Sequence, residues 1–231
     1  MFRTISFLLL ATLLVGFWTA EFPGAVGSDT WQHRPNDPRY QEDWHLYSHI
    51  PVNHQAELSA EERAMGSGLH VDRAWQLHLG DPDTTIAVLD SGIFWDYPDL
   101  INQVKLNTAE LPLPENSEVY DVNQDGRVNI QDYANDSRVA DHNQNGLIDT
   151  GDLIKIFSNS VDEDKNGFVD DIAGWDFHEH DNDPYDRVRY KHGTSQAVDS
   201  LGEINNGIKA AGICGKCSCL LYTSPSPRDR G

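Results

Sequence analysis

Basic residues, cysteines and long apolar runs are all scarce in this chain. Only 17 of its 231 residues are Lys or Arg, against 37 Asp and Glu, so the formal net charge is −20. Such acidity excludes a nucleic-acid-binding or anionic-membrane-binding protein, because phosphate groups would be repelled. Three cysteines are too few for a disulfide scaffold. Beyond the N-terminal leader no apolar run could cross a bilayer, so no membrane association is expected once that leader is removed.

The N-terminal residues read as an export signal. Arg3 supplies a positive charge, and residues 5–18 are almost wholly apolar. Small residues at 25–27 form a plausible cleavage site, so residues 1–27 are predicted to be a signal peptide and the protein to be secreted. The polar segment 28–60 is predicted to be an extended N-terminal arm.

The C-terminal residues have an unusual origin in our interpretation. The eleven residues from Cys219 to Asp229 match the in-frame translation of a transposon-based sequencing adaptor. We therefore interpret residues 219–231 as adaptor-derived, exclude them from fold reasoning, and expect the natural sequence to continue beyond Ser218. A genuine Ser/Pro-rich tail is the alternative.

The segment 61–218 carries the pattern of an α/β domain. Residues 84–89 are a continuous β-prone run, typical of a strand buried on both faces, and the run leads into Asp90. A carboxylate at the carboxyl end of a parallel strand is where open α/β sheets place their chemistry. Helices are predicted over 69–79 and 192–201, and a turn entering another buried strand over 207–217.

Three segments between residues 121 and 171 repeat one pattern, with oxygen-bearing side chains at positions 1, 3, 5 and 9 and glycine at position 6. Such oxygens, with the carbonyl at position 7, can converge on one calcium ion. The predicted ligands of loop 1 are Asp121, Asn123, Asp125, the Arg127 carbonyl, Asn129 and Asp132. Those of loop 2 are Asp141, Asn143, Asn145, the Leu147 carbonyl, Asp149 and Asp152. Those of loop 3 are Asp162, Asp164, Asn166, the Phe168 carbonyl and Asp170.

Loop 3 lacks an acidic residue at position 12, where Ala173 stands, so its last ligand must come from elsewhere, with Asp171 a candidate. Residues 121–173 are therefore predicted to be an insert that binds Ca²⁺. Residues 121–171 contain twelve acidic and four basic residues, a local net charge of −8, and without a cation the carboxylates would repel one another. Magnesium fits less well, because it wants a stricter octahedron. A solvated acidic segment that binds nothing is the alternative.

Two further motifs resemble those of a known family. Residues 86–93, Ile-Ala-Val-Leu-Asp-Ser-Gly-Ile, resemble the aspartate motif of the subtilisin-like serine proteases, or subtilases. Residues 192–197, His-Gly-Thr-Ser-Gln-Ala, resemble their histidine motif. The segments 166–177 and 205–213 are similar to stretches that members carry between and after those motifs. The resemblance covers roughly residues 36–218.

This resemblance implies a fold, a reaction and two site residues. The fold would be a mainly parallel sheet flanked by helices, of which this chain supplies about the first half. The reaction would be calcium-dependent proteolysis of protein or peptide substrates. Asp90 would orient and stabilise the imidazole of His192, which would take a proton from a serine hydroxyl and deliver it to the leaving amine.

The family's nucleophile motif, G-T-S-x-A-x-P, and its oxyanion asparagine are missing from the 231 residues. Ser195 superficially matches part of that motif, but Asp199 stands at the proline position and the serine lies only three residues from the base. We therefore expect the nucleophile downstream, and we expect this chain alone to be inactive. Val198 replaces the glycine usual after the histidine motif.

Other readings of the sequence are weaker. Loops 1 and 2 resemble the paired repeats of dockerins, so a non-catalytic calcium-binding adhesion module is the rival function. An aspartic protease would need a second Asp-Ser-Gly motif. The segment 178–180, His-Glu-His, is predicted to be a solvated loop rather than a metal pair. Cys214 and Cys217 are predicted to form a local disulfide or to remain two thiols.

Overall fold

The fold is taken from a computed structural model, which describes residues 35–40, 42–46, 56–65, 68–187 and 189–223. The predicted signal peptide at 1–27 lies outside the described residues, as do much of the predicted arm and residues 224–231 of the predicted tail.

The centre of the fold is a parallel sheet of three strands. They are β1 (Thr85–Asp90), β2 (Gly174–Asp176) and β3 (Ser218–Thr223), arranged in the order β1-β3-β2. Asp90 and Asp176 both pair with Thr223, so the carboxyl ends of all three strands meet at one edge of the sheet. The α/β class predicted from the sequence is confirmed at this level, as a small parallel sheet with few helices.

Among the described residues, four α-helices and three short 3-10 helices accompany the sheet. The α-helices are α1 (Ala60–Met65), α2 (Val71–Ala74), α3 (Thr150–Phe157) and α4 (His192–Leu201). The 3-10 helices are Trp44–Leu46, Thr108–Glu110 and Ile130–Tyr133. The prediction of a helix over 192–201 is confirmed, and this helix contacts both β1 and β3. The helix predicted over 69–79 is shorter, because its α-helical part ends at Ala74.

One expectation about β1 is wrong. The continuous apolar run predicted a strand buried on both faces, but within β1 only Val88 is fully buried and Leu89 is 61% exposed. Val88 points to the core, whereas its neighbours Ala87 and Leu89 point to the opposite face of the strand, which is exposed. The run therefore reflects β-propensity more than burial.

The last strand also begins later than the sequence pattern predicts. The apolar residues Ala210 and Ala211 are buried outside the strands, and the chain then turns through the disulfide between Cys214 and Cys217. Strand β3 starts at Ser218 and buries alternate residues up to Thr223. Residues 219–223, which are predicted to be adaptor-derived, thus occupy the central strand of the sheet. The origin of residues 219–231 stays a prediction.

The acidic insert and the sheet share one hydrophobic core. Ile130 and Leu153 from the insert pack in the same buried cluster as Val88 and Leu221 from the sheet. A smaller cluster contains Tyr40, Leu46, Val71, Trp75 and Ala211. In the parts of the chain that the structure describes, no helix has the length and apolar character needed to cross a bilayer.

Candidate active site and acidic loops

The fold brings together the two residues that the sequence analysis selects for catalysis. Asp90 is the last residue of β1 and His192 is the first residue of α4, 102 positions later. The imidazole Nδ1 lies 2.7 Å from one carboxylate oxygen of Asp90 and 2.9 Å from the other. Donation of the Nδ1 proton to this carboxylate leaves Nε2 as the acceptor, which is the tautomer a general base needs.

Two backbone features hold this pair in place. The backbone N–H of Ser91 donates to the Asp90 carboxylate at 2.7 Å, and the backbone N–H of Phe94 donates to the Thr194 hydroxyl at 3.0 Å. Gly193 sits where helix and strand approach most closely, since a Cβ there would lie 2.4 Å from the carbonyl oxygen of Gly92. The glycine and threonine that follow His192 therefore let α4 dock against the end of β1.

A buried carboxylate shapes the turn that precedes His192. Asp186 is fully buried and accepts hydrogen bonds from the backbone N–H groups of Tyr190 and Lys191. Lys191 has a left-handed backbone with φ of 65°, which reverses the chain into α4. Sequence reasoning missed Asp186, because no motif in the chain marks it.

His192 keeps access to solvent on the side away from the carboxylate. Its side chain is 54% exposed, whereas that of Asp90 is 20% exposed. Ser195 also lies on the exposed surface of α4. His178, Glu179 and His180 are exposed in the turn after β2, where the predicted solvated loop is found.

The three acidic loops share one hydrogen-bonding pattern. In each, the aspartate at position 1 accepts bonds from the backbone N–H groups at positions 5 and 6, as Asp121 does from Asp125 and Gly126 at 3.2 and 3.0 Å. Positions 4 and 6 have positive φ in all three loops. The N–H at position 7 donates to the side chain at position 5. The role of the carbonyl oxygens of Arg127, Leu147 and Phe168 stays a prediction.

The position-12 aspartates of loops 1 and 2 close their loops. Asp132 accepts bonds from the N–H groups of Val122 and Asn129, at 2.8 and 2.9 Å. Asp152 is bonded in the same way to His142 and Asp149. Both carboxylates are buried and complete a capping box at the start of the following helix.

The position-9 residues of loops 1 and 2 are used differently. In loop 2, the Asp149 carboxylate accepts bonds from the side-chain amides of Asn143 at 3.0 Å and Asn145 at 2.6 Å, so positions 3, 5 and 9 converge. In loop 1, the Asn129 amide donates instead to the carbonyl of Asn102. The side chain of Asn123 meets that of Asp125 at 3.2 Å.

The position-9 residue of loop 3 is bonded to the backbone that precedes the loop. The Asp170 carboxylate accepts bonds from the backbone N–H groups of Asn159 and Ser160, at 2.7 and 2.8 Å, and is not drawn into the contacts of positions 3 and 5. Asp171 instead accepts a bond from the Asn166 amide at 3.1 Å. Of the two acids, Asp171 is therefore the one that the structure joins to the side chains of loop 3.

The acidic loops place carboxylates where they are hard to ionise. Burial raises the pKa of Asp132, Asp149 and Asp171. Burial also raises the pKa of Glu110, to about 7. A bound cation would favour the ionised form of all four groups.

Among the described residues, two groups of acids are close enough to hold a metal ion. One group consists of Glu110, Asp162 and Asp164, and the other of Glu110, Glu163 and Asp170. Their all-oxygen chemistry suits a hard cation such as calcium. Sequence reasoning missed Glu110, which lies outside the repeats and has no spacing signal.

Comparison with known proteins points to a protease, as the contact between His192 and Asp90 does. No family model matches the chain. It is 28% identical over 138 residues to subtilisin-like protease 1 of Plasmodium vivax, a match that covers 60% of this chain and 15% of that protein. The chain thus spans a small part of the relative that it matches. This distant similarity supports a subtilase relationship and, in general terms, a proteolytic function.

Proposed function

We propose that this chain is the N-terminal part of a secreted, calcium-dependent serine endopeptidase of the subtilase type. The observation that carries the proposal is the contact of 2.7 Å between His192 Nδ1 and Asp90, two residues brought together from distant motifs. The similarity to a subtilisin-like protease, over 138 residues, supports the same assignment.

In this mechanism the chain supplies the base and the group that orients it. His192 Nε2 takes the proton of a serine hydroxyl and later gives it to the leaving amine of the peptide substrate. Asp90 holds the Nδ1 proton and stabilises the imidazolium while it exists. The exposure of His192 leaves room for the serine and the substrate. We propose that this serine and the oxyanion asparagine are encoded beyond Ser218.

Calcium has a structural role in the proposal. Bound calcium would neutralise the repelling carboxylates of the three loops and fix the loops against the core. The shared hydrogen-bonding pattern and the all-oxygen side chains support this role. Removal of calcium should therefore affect stability before it affects chemistry.

The shared core argues against a separate docking module. A dockerin-like unit would bury its own apolar residues and fold apart from a catalytic domain. Here Leu153, which follows loop 2, lies in the same buried cluster as Val88 of β1. The loops are thus built into the unit that carries Asp90, as an insert in a protease domain would be.

The proposal is tested on the complete gene, recovered by sequencing genomic DNA across the region that encodes Ser218. We expect an open frame that continues into an asparagine-bearing segment and then G-T-S-x-A-x-P. In the encoded enzyme, Asp90→Asn and His192→Ala should each lower kcat by about 10³-fold or more. His178→Ala, a change in an exposed loop, is the control and should leave kcat unchanged. Full activity in His192→Ala would refute the assignment.

A further inference from the structure

Glu110 presents a buried carboxylate oxygen that accepts no hydrogen bond from an N–H donor. It ends the 3-10 helix Thr108–Glu110, which the Asn107 side chain caps by accepting a bond from the N–H of Ala109. The residue is only 3% exposed. Its Oε1 accepts a bond of 3.1 Å from the N–H of Asp164, but its Oε2 is buried and accepts no such bond. This carboxylate also interacts with that of Glu163, and two acids held together at a buried position are costly unless a proton or a cation lies between them.

The carboxylate of Glu110 lies among the first ligands of loop 3. One oxygen each from Glu110, Asp162 and Asp164 lie within 4.8 Å of one another. Asp162 and Asp164 are positions 1 and 3 of the loop. The Asn107 amide adds to this arrangement, because it donates to Asp164 at 3.1 Å and to Asp171 at 2.8 Å. The segment before Glu110 is thus bound to the loop by direct contacts.

Position 12 of loop 3 supplies no carboxylate. Its position 12 is Ala173, which is fully buried, whereas loops 1 and 2 have aspartate there. Its position 9, Asp170, is bonded to the backbone of Asn159 and Ser160. An acid from elsewhere in the chain can take the vacant role, and Glu110 is the buried acid that reaches the loop.

We propose that Glu110 is a calcium ligand of loop 3, acting with Asp162, Asp164, Asn166 and Asp171. The inference rests on the proposed calcium binding of the loops and names the residue that completes one site. Because Glu110 precedes Asp162 by 52 positions, the ion links two distant segments of the chain. Calcium at loop 3 then joins the segment 107–110 to the loop, because both segments coordinate the ion.

The test is Glu110→Gln in the 231-residue chain, with calcium binding measured by titration calorimetry and stability by thermal unfolding. Because ligand charge tunes the affinity of such loops, we expect calcium to bind loop 3 at least tenfold more weakly, as a rough estimate. Without calcium, the variant should melt at the same temperature or higher, since a neutral amide removes repulsion from Asp162 and Asp164. A residue with only a structural role would lower the melting temperature with and without calcium.

Three other variants make the result specific. Asp162→Asn removes the first proposed ligand of loop 3. The part of the calorimetric binding heat that this variant loses is the heat of calcium binding at loop 3. Glu118→Gln makes the same charge change at an exposed position and should leave calcium binding unchanged. Glu163→Gln examines the second acidic group, which contains Glu110, Glu163 and Asp170. Weaker binding in Glu163→Gln with unchanged binding in Glu110→Gln would overturn the proposal.

The outcomes also separate this inference from the proposed function. If Asp162→Asn binds as much calcium as the unmodified chain, the proposal that loop 3 binds calcium is wrong. If Asp162→Asn removes it and Glu110→Gln does not weaken it, only the role of Glu110 is wrong. Should Glu110→Gln fail to fold, hydrogen exchange on the unmodified chain decides. Calcium should then slow exchange at residues 108–110 together with loop 3, and slowing in the loop alone would contradict the proposal.

Discussion

Gly193→Ala should separate α4 from the end of β1 and break the contact between Asp90 and His192. A Cβ at position 193 would lie 2.4 Å from the carbonyl oxygen of Gly92 and 2.9 Å from Cβ of Asp90. Ordinary contact begins at 3.4 Å, so the backbone of one element has to move by about 1 Å. His192 is the adjacent residue, and its hydrogen bond of 2.7 Å cannot survive such a shift.

The expected cost in stability follows from overpacking. Inserting one methyl group into a packed contact typically costs about 1–3 kcal/mol. For a domain of this size, a loss of about 2 kcal/mol lowers the melting temperature by roughly 4–8 °C. The change in the site itself is seen by NMR, where the signal of the His192 Nδ1 proton should be lost or moved upfield.

Ser195→Ala is the matched control for this experiment. Ser195 lies on the same helix, two residues further on, and is exposed. Its substitution should change the stability by no more than about 0.5 kcal/mol and leave the imidazole signal in place. A Gly193→Ala variant with the melting temperature and imidazole signal of the unmodified chain would show that the close contact of α4 with β1 does not exist.

Three further predictions concern the insert and its charges. Calcium at 100 times its dissociation constant should stabilise the folded chain by about 2.7 kcal/mol per site. The melting temperature should therefore rise on addition of calcium and fall again on addition of a chelator. An unchanged melting temperature would contradict calcium binding. Leu153→Ala should lower the free energy of unfolding of the whole unit, measured by urea denaturation, by about 2–5 kcal/mol. Ile156→Ala, at an exposed position, should leave this free energy nearly unchanged. Separate unfolding transitions for the insert and the sheet would contradict the shared core. The Arg138 guanidinium holds the pKa of Asp136 below its ordinary value of 3.8, so Arg138→Met should lose stability at neutral pH. This difference from the unmodified chain should shrink as the pH falls below about 4 and Asp136 becomes protonated, and a difference constant from pH 7 to pH 2 would refute the pairing.

Local motifs made part of the site predictable. A β-prone run that leads directly into Asp90 places this residue at a strand end, and the resemblance of residues 192–197 to the subtilase histidine motif selects His192. Each of these signals lies within a few residues, so the fold had only to bring two well-defined ends together. The regular spacing of the loops similarly predicted their turns, which the shared hydrogen bonds of Asp121, Asp141 and Asp162 display.

The expectations that the structure altered depend on contacts between distant segments. Whether Leu89 is buried depends on what covers the sheet, which the strand's own sequence does not contain. The start of β3 at Ser218 depends on the turn closed by Cys214 and Cys217. The hydrogen bonds of Asp170 depend on Asn159 and Ser160, whose backbone N–H groups donate to its carboxylate. Spacing alone carries none of this information.

Loop 3 is connected by a short path through the backbone to the edge of the sheet that carries Asp90. Only two residues separate Asp171 from the start of β2 at Gly174, and the N–H of Asn107 donates to the carbonyl of Ile172 between them at 2.7 Å. Strand β2 then ends at Asp176, which shares the partner Thr223 with Asp90. An ion bound at Asp171 would therefore fix where β2 begins, and β2 helps to set the edge of the sheet on which Asp90 meets His192.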